Sequence, residues 1–216
     1  MGRVPRGASF GSVGMDWQGR INWQRMREYR LSRARDAMRR HNLGAILCMY
    51  DENVRYITST LTPGWCKLKP GLRYAVLVEG REPILFEQGD IGIHVEKHSP
   101  WLPKENIRHS FSWIKGAAGP ASEMQVAKFT KALLEALEEA GVSDQPLGVD
   151  FIDINMIRGF ERGGINWTDG MTPMMAASSV KNVDAQGARV FVGAIGAALV
   201  SASPDAQQQR LTRQTV

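Results

Sequence analysis

Cysteine is scarce in this chain of 216 residues: Cys48 and Cys66 are the two it has, which excludes the disulfide framework on which small secreted domains depend. No apolar stretch of about 7 to 15 residues follows the basic amino terminus, so no secretory signal is read. Nor does any run approach the roughly 18 consecutive apolar residues of a membrane helix. These absences point to a soluble protein of the reducing cytoplasm with no membrane partner. Histidine and glutamate also run out along the chain, with no His after His109 and no Glu after Glu161. What is present is ordinary globular material, 43% hydrophobic and 23% charged residues, enough for a sizeable core.

The formal net charge is +5, and its distribution matters more than its size. Seven arginines, Arg25, Arg27, Arg30, Arg33, Arg35, Arg39 and Arg40, crowd one stretch. Trp23, Met26, Leu31, Ala34, Ala37 and Met38 recur among them at spacings of three or four, the pattern of an amphipathic helix with its arginines on the wet side. A basic nucleic-acid-binding module built on the Arg25 to Arg40 helix is the alternative reading. No zinc-ligand spacing or aromatic ribonucleoprotein motif accompanies those arginines, so no nucleic-acid partner is assigned.

Helical and strand patterns alternate after a glycine-rich arm at residues 1–15. Asn42 and Gly44 stop the arginine-rich helix, and Ala45 to Tyr50 reads as a buried strand. Leu72 to Val78 and Pro83 to Phe86 form a hairpin around Glu79-Gly80-Arg81-Glu82. Ile107 to Trp113 alternates as a further strand. Ser122-Glu123-Met124-Gln125 has the form of a capping box and opens a helix whose stripe is Val126, Phe129, Leu133, Leu134, Leu137 and Ala140, ended by Gly141. Leu147 to Phe151 follows as a strand carrying Asp150, then a weaker helix over Ile154 to Glu161. Strands linked through helices, plus one hairpin, predict an α/β fold: a mixed β-sheet covered by helices in three layers.

Few residues suggest chemistry. His94 and His98 stand four apart and would face one way on a helix, but Gly92, Ser99 and Pro100 leave room for a short one at most, and the pair reads as surface histidines with no metal assigned. Cys48 lies in an apolar strand as an inert thiol, while Cys66 next to Lys67 has no base to make it catalytic. Gly159, Gly163 and Gly164 do not follow a strand as a phosphate-binding fingerprint requires.

One segment does identify relatives. The run Tyr50-Asp51-Glu52-Asn53-Val54-Arg55-Tyr56-Ile57-Thr58-Ser59, after Ala45-Ile46-Leu47-Cys48-Met49, resembles the first strand and turn of the amino-terminal domain in the creatinase, prolidase and aminopeptidase P family. The layout from about Trp23 to Asp184 is similar too, including Arg73-Tyr74-Ala75-Val76-Leu77-Val78. The segment Met175-Ala176-Ala177-Ser178-Ser179-Val180-Lys181-Asn182 is similar to one in which relatives carry an arginine where Ser178 stands. The Trp-rich loop before Arg73-Tyr74 resembles that of the dimethylsulfoniopropionate lyase-like branch.

The resemblance implies a creatinase-like domain over residues 16–184 that is non-catalytic by itself, supports dimerisation and lends loop residues to a substrate site. The loop is Leu61 to Arg73, with Trp65 for apolar contact and Arg73 for holding a carboxylate. The implied partner is a second copy or a carboxy-terminal domain holding two divalent metal ions with two Asp, one His and two Glu. After Asn166 this chain has Asp169, Asp184 and Asp205 as its carboxylates, so none of those ligands carries over and no cofactor is expected here. Residues 185–216 read as an irregular tail, with a change of reading frame or truncation near Ala185 to Arg189 as the expected origin and a diverged natural terminus as the alternative.

Overall fold

The structure, a computed structural model, describes residues 21–61 and 71–186. Residues 27–180 form one compact unit; the described residues 21–26 and 181–186 belong to a second. The arm, the Leu61 to Arg73 loop from residue 62 to 70, the tail beyond residue 186, and with them Trp65 and Cys66, lie outside the described residues.

Helix α1 (Trp23–Arg40) leads into β1 (Ala45–Cys48), α2 (Asp51–Thr58), the hairpin of β2 (Tyr74–Val78) and β3 (Ile84–Glu87), α3 (Ile91–His98) and β4 (Ile107–His109). A short α4 (Lys115–Ala118) precedes the long α5 (Ser122–Ala140), followed by β5 (Leu147–Val149), α6 (Ile154–Gly163), β6 (Trp167–Asp169) and α7 (Met171–Ser179). The strands make one six-stranded sheet in the order β4-β3-β2-β1-β5-β6. The β1/β2 and β2/β3 pairs are antiparallel, and the remaining three are parallel.

Both faces of the sheet are covered, which is why its central strands are apolar without alternation. Leu47, Tyr74, Val76, Phe86 and Val149 point into a core shared with Phe129 and Leu133 of α5 and Phe160 of α6. Ile46, Cys48, Ala75, Leu77 and Leu85 point the other way, toward Ala37 and Met38 of α1, Ile57 of α2, Val95 of α3 and Met174 of α7. In the first core Tyr74 stacks on Phe86 at 4.8 Å and meets Phe129 edge-on at 5.1 Å, with Trp113 4.3 Å from Phe129 between ring centroids. Such pairs add about 0.5–1.5 kcal/mol each beyond burial.

Several local expectations are corrected. Tyr50 to Ser59 is not a strand and turn: Asp51 to Thr58 is helical, with Asp51 and Glu52 in the first turn, where negative charge suits the helix dipole, and Ser59 ending it at φ 56°. The strand expected over Ile107 to Trp113 stops at His109, because β3 ends at Glu87 and the next polar groups turn elsewhere. Ser110 Oγ donates to Leu72 O at 2.8 Å, and Phe111 N–H donates to the Tyr74 hydroxyl at 3.2 Å. Ser122 is no capping box either. It is already helical, follows a 3₁₀ turn over Gly119–Ala121, and gives its hydroxyl to the Trp113 carbonyl. Trp23, placed on the apolar stripe from sequence, is 40% exposed. At the other end of α5 the expectation holds, with Gly141 at φ 73° returning its N–H to Leu137 and Glu138.

The glycines of α6 are for packing. A Cβ on Gly159 would lie 2.5 Å from Thr130 Oγ1 and 2.9 Å from Val126 Cγ1, so α5 and α6 meet with almost no side chain between them. Gly159→Val should therefore cost about 1–3 kcal/mol by overpacking. A denaturant midpoint equal to that of the unchanged protein would show that the helices can separate without loss.

Candidate functional site

Two polar clusters sit beside α2, the helix that carries the family-like signature. In the first, the carboxyl ends of β1 and β5 come together because those strands are parallel neighbours, with Leu47 opposite Val149. Asp150, the next residue of the chain, turns its carboxylate onto the end of β1. It accepts from Met49 N–H at 2.6 Å, from Tyr50 N–H at 3.3 Å and from the Asn53 side-chain amide at 2.8 Å. Asn53 of the signature thus acts as a tie between α2 and β5. Burial pushes the Asp150 carboxyl up to about 6, and the three donors oppose that rise without cancelling it. Above Asp150, the Tyr50 and Phe151 rings meet edge-on at 5.5 Å.

The second cluster lies at the stems of the loop outside the described residues. Arg73, immediately before β2, is 4% exposed, and its Nε donates to Glu87 Oε2 at 2.5 Å. Glu87 closes β3 and is itself 1% exposed. Arg73 Nη1 stands 3.7 Å from Asp51 Oδ1, and Nη2 donates to the Thr60 hydroxyl, which in turn shares a 2.7 Å bond with Thr58 Oγ1. The Trp101 indole donates to Thr58 O at 2.9 Å, satisfying a carbonyl at the end of α2. One guanidinium therefore joins both stems of the loop, Thr60 on the outgoing side and Arg73 on the returning side, to the sheet. Two of the chain's own carboxylates, Glu87 and Asp51, thus stand against the Arg73 guanidinium.

The arginine-rich helix is engaged with its own protein. Arg27 lies over the Trp101 ring at 4.3 Å and Arg30 over Tyr56 at 5.7 Å, both cation–π contacts. Arg33 donates to the Ala176 and Ala177 carbonyls at the end of α7, at 2.9 and 3.5 Å, and the Tyr56 hydroxyl donates to Ala177 O at 2.9 Å. Burial pushes that hydroxyl up to about 12. Arg35 reaches the Arg81 carbonyl, and Arg39 pairs with Asp36 and Glu79. Within the second unit Arg25 grips Asp184 through two bonds of 2.8 Å, and that hydrogen bonding holds the Asp184 carboxyl below its ordinary value. Nothing in this arrangement supports a phosphate-binding face.

Other sequence candidates fall out simply. Cys48 is buried, and burial pushes its thiol well up, as an inert core cysteine requires. Ser178 donates to Met175 O at 3.3 Å. His94 and His98 do share a helix, α3, anchored by buried Val95. Among the described residues no three His, Cys, Asp or Glu are placed to hold one ion.

A family model of the Creatinase/Prolidase N-terminal domain matches residues 30–153, more than half of the chain. The chain belongs to this family. An Xaa-Pro aminopeptidase from Streptococcus pyogenes is similar in structure, with 16% identity, a TM-score of 0.50, and coverage of 71% of this chain and 98% of that one. The N-terminal domain of the cytoplasmic peptidase PepQ from Mycobacterium tuberculosis is 14% identical over 68% of this chain and 97% of that one, with a TM-score of 0.48. An Xaa-Pro dipeptidase from Bacillus anthracis gives 13% identity and a TM-score of 0.44, and the match covers 66% of this chain but 34% of the dipeptidase. No curated protein matches in sequence. Asp150 falls inside the Creatinase/Prolidase N-terminal match and was noted in sequence as the end of a strand without a role. Glu87 was missed altogether. Its one signal is a carboxylate that closes the apolar run Ile84-Leu85-Phe86, where a charge needs a buried partner.

Proposed function

We propose that this chain works as the non-catalytic amino-terminal domain of an Xaa-Pro peptidase-like protein, supporting dimerisation and shaping a substrate site whose metal chemistry is supplied by another domain. The observation that carries this reading is the double anchoring of the Leu61 to Arg73 loop. Thr60 and Arg73 are hydrogen-bonded to each other on a buried Glu87, so the loop departs from and returns to fixed points. A loop presented from a rigid base is how a scaffold contributes contact residues without doing chemistry itself. In this role Trp65 makes apolar contact with substrate, and Arg73 sets the loop's position. The cytoplasm is the compartment we assign. Among the described residues no helix is long and apolar enough to cross a membrane.

Sedimentation velocity on the purified chain should show a dimer, and assays of Xaa-Pro dipeptides with added Mn²⁺ or Co²⁺ should show no turnover above buffer. A monomer at high concentration sinks the dimerisation half of the proposal. Turnover that survives repurification sinks the other half.

A further inference from the structure

We propose that His94 and His98 form a two-imidazole clip for a divalent transition-metal ion, Cu²⁺ foremost, on the outer face of α3. This is separate from the dinuclear chemistry of the proposed function and does not depend on it. The two residues are one helical turn apart on an eight-residue helix, and their rings lie 4.2 Å apart between centroids with a 40° tilt. Both are exposed, so neither ring is held there by core packing.

The backbone beneath them is already ordered. Val95, between the two histidines, is 4% exposed and sits in the second core, and a Cβ on Gly92 would rest 3.6 Å from Ile107 Cγ2, which shows how closely the first turn lies on β4. On the flank, Glu96 pairs with Lys104 at 2.8 Å and ties the helix to the segment that follows it. The pair is therefore presented from a fixed element, which reduces the ordering cost of closing both rings on one ion.

The donor set decides the ligand. Two neutral imidazole nitrogens suit Cu, Ni and Zn, whereas Mg²⁺ and Ca²⁺ need oxygen, and among the first-row ions a given nitrogen site binds Cu²⁺ most strongly. With two protein ligands the remaining positions belong to water. The ion then exchanges freely, unlike one in a closed four-ligand structural site.

The test is a calorimetric titration of the full chain with CuCl₂ in a non-coordinating buffer, with NiCl₂ and MgCl₂ in parallel. One equivalent of Cu²⁺ should bind, Ni²⁺ more weakly, and Mg²⁺ not at all. His94→Ala and His98→Ala should each weaken Cu²⁺ binding at least tenfold, while His41→Ala and His109→Ala leave it within twofold. Substoichiometric Cu²⁺ added to ¹⁵N-labelled protein should broaden the amide signals of residues 91–99 first, a readout in the unmutated chain that is immune to any folding defect of a variant. Cu²⁺ affinity unchanged in the His94→Ala/His98→Ala double variant, or broadening centred elsewhere, overturns the clip.

Discussion

Arg73→Met should destabilise the domain by about 3–5 kcal/mol, because it leaves the carboxylate of Glu87 in the interior without its cation. Glu87 is 1% exposed, so water cannot replace the guanidinium, and Thr60 loses the donor that joins it to the sheet. The magnitude comes from the asymmetry of buried pairs. Breaking one by removing a single partner is far costlier than replacing both with apolar groups of similar volume. Arg73→Met/Glu87→Leu should accordingly recover most of the loss. Urea unfolding of the two single variants and the double variant gives the coupling energy directly. If Arg73→Met shifts the midpoint by less than the equivalent of about 1 kcal/mol, the pair is not the anchor of the loop stems described above.

The second large effect depends on pH. An unfolded aspartate titrates near 3.9, whereas burial in the folded domain pushes Asp150 up to about 6. Between those values the folded state binds more protons than the unfolded one, so this group makes stability fall as pH rises from about 4 to about 6. Above that range the deficit is constant. A shift of two units is worth about 3 kcal/mol, large against a total stability of roughly 5–15 kcal/mol. Asp150→Asn has no titration there and serves as the reference. The stability of the unchanged protein minus that of Asp150→Asn should become less favourable by about 2 kcal/mol between pH 4 and pH 7. A difference independent of pH would show that the hydrogen bonds from Met49, Tyr50 and Asn53 fully offset burial.

How much of this was legible in sequence depends on the range of the interaction. The long α5 was, because its stripe repeats over many turns and Gly141 stops it in the left-handed conformation its position needs. The mixed sheet was as well, since a hairpin between β2 and β3 forces antiparallel pairing within an otherwise helix-linked order. Short elements were not. Helix α2 spans eight residues and begins right after a strand, so the periodicity of Val54 and Ile57 had too little length to show itself. Helices α3 and α7 were obscured by Gly92 and Pro173 in their first turns, where such residues are tolerated. In the site, Arg73 was picked out by resemblance, but Glu87 is fourteen residues away and Asp150 about a hundred residues from its donors. Neither distance leaves a trace in local pattern. The partners of the α1 arginines, Trp101, Tyr56 and the Ala176 and Ala177 carbonyls, likewise lie far along the chain and leave no local pattern.

The parallel pairing of β1 with β5 also sets a schedule for biosynthesis. Once β1 has left the ribosome it can pair with β2 soon afterwards, but its other edge waits for Leu147 to Val149, about a hundred residues later. At about 5–20 residues per second the wait is roughly 5–20 s. Throughout it the nascent chain presents an apolar strand, Ala45-Ile46-Leu47-Cys48, with one row of amides and carbonyls unpaired, the kind of edge that invites pairing with another chain. Asp150 ends that exposure: as it emerges, its carboxylate closes on Met49 and Asn53 and seals the sheet at its centre.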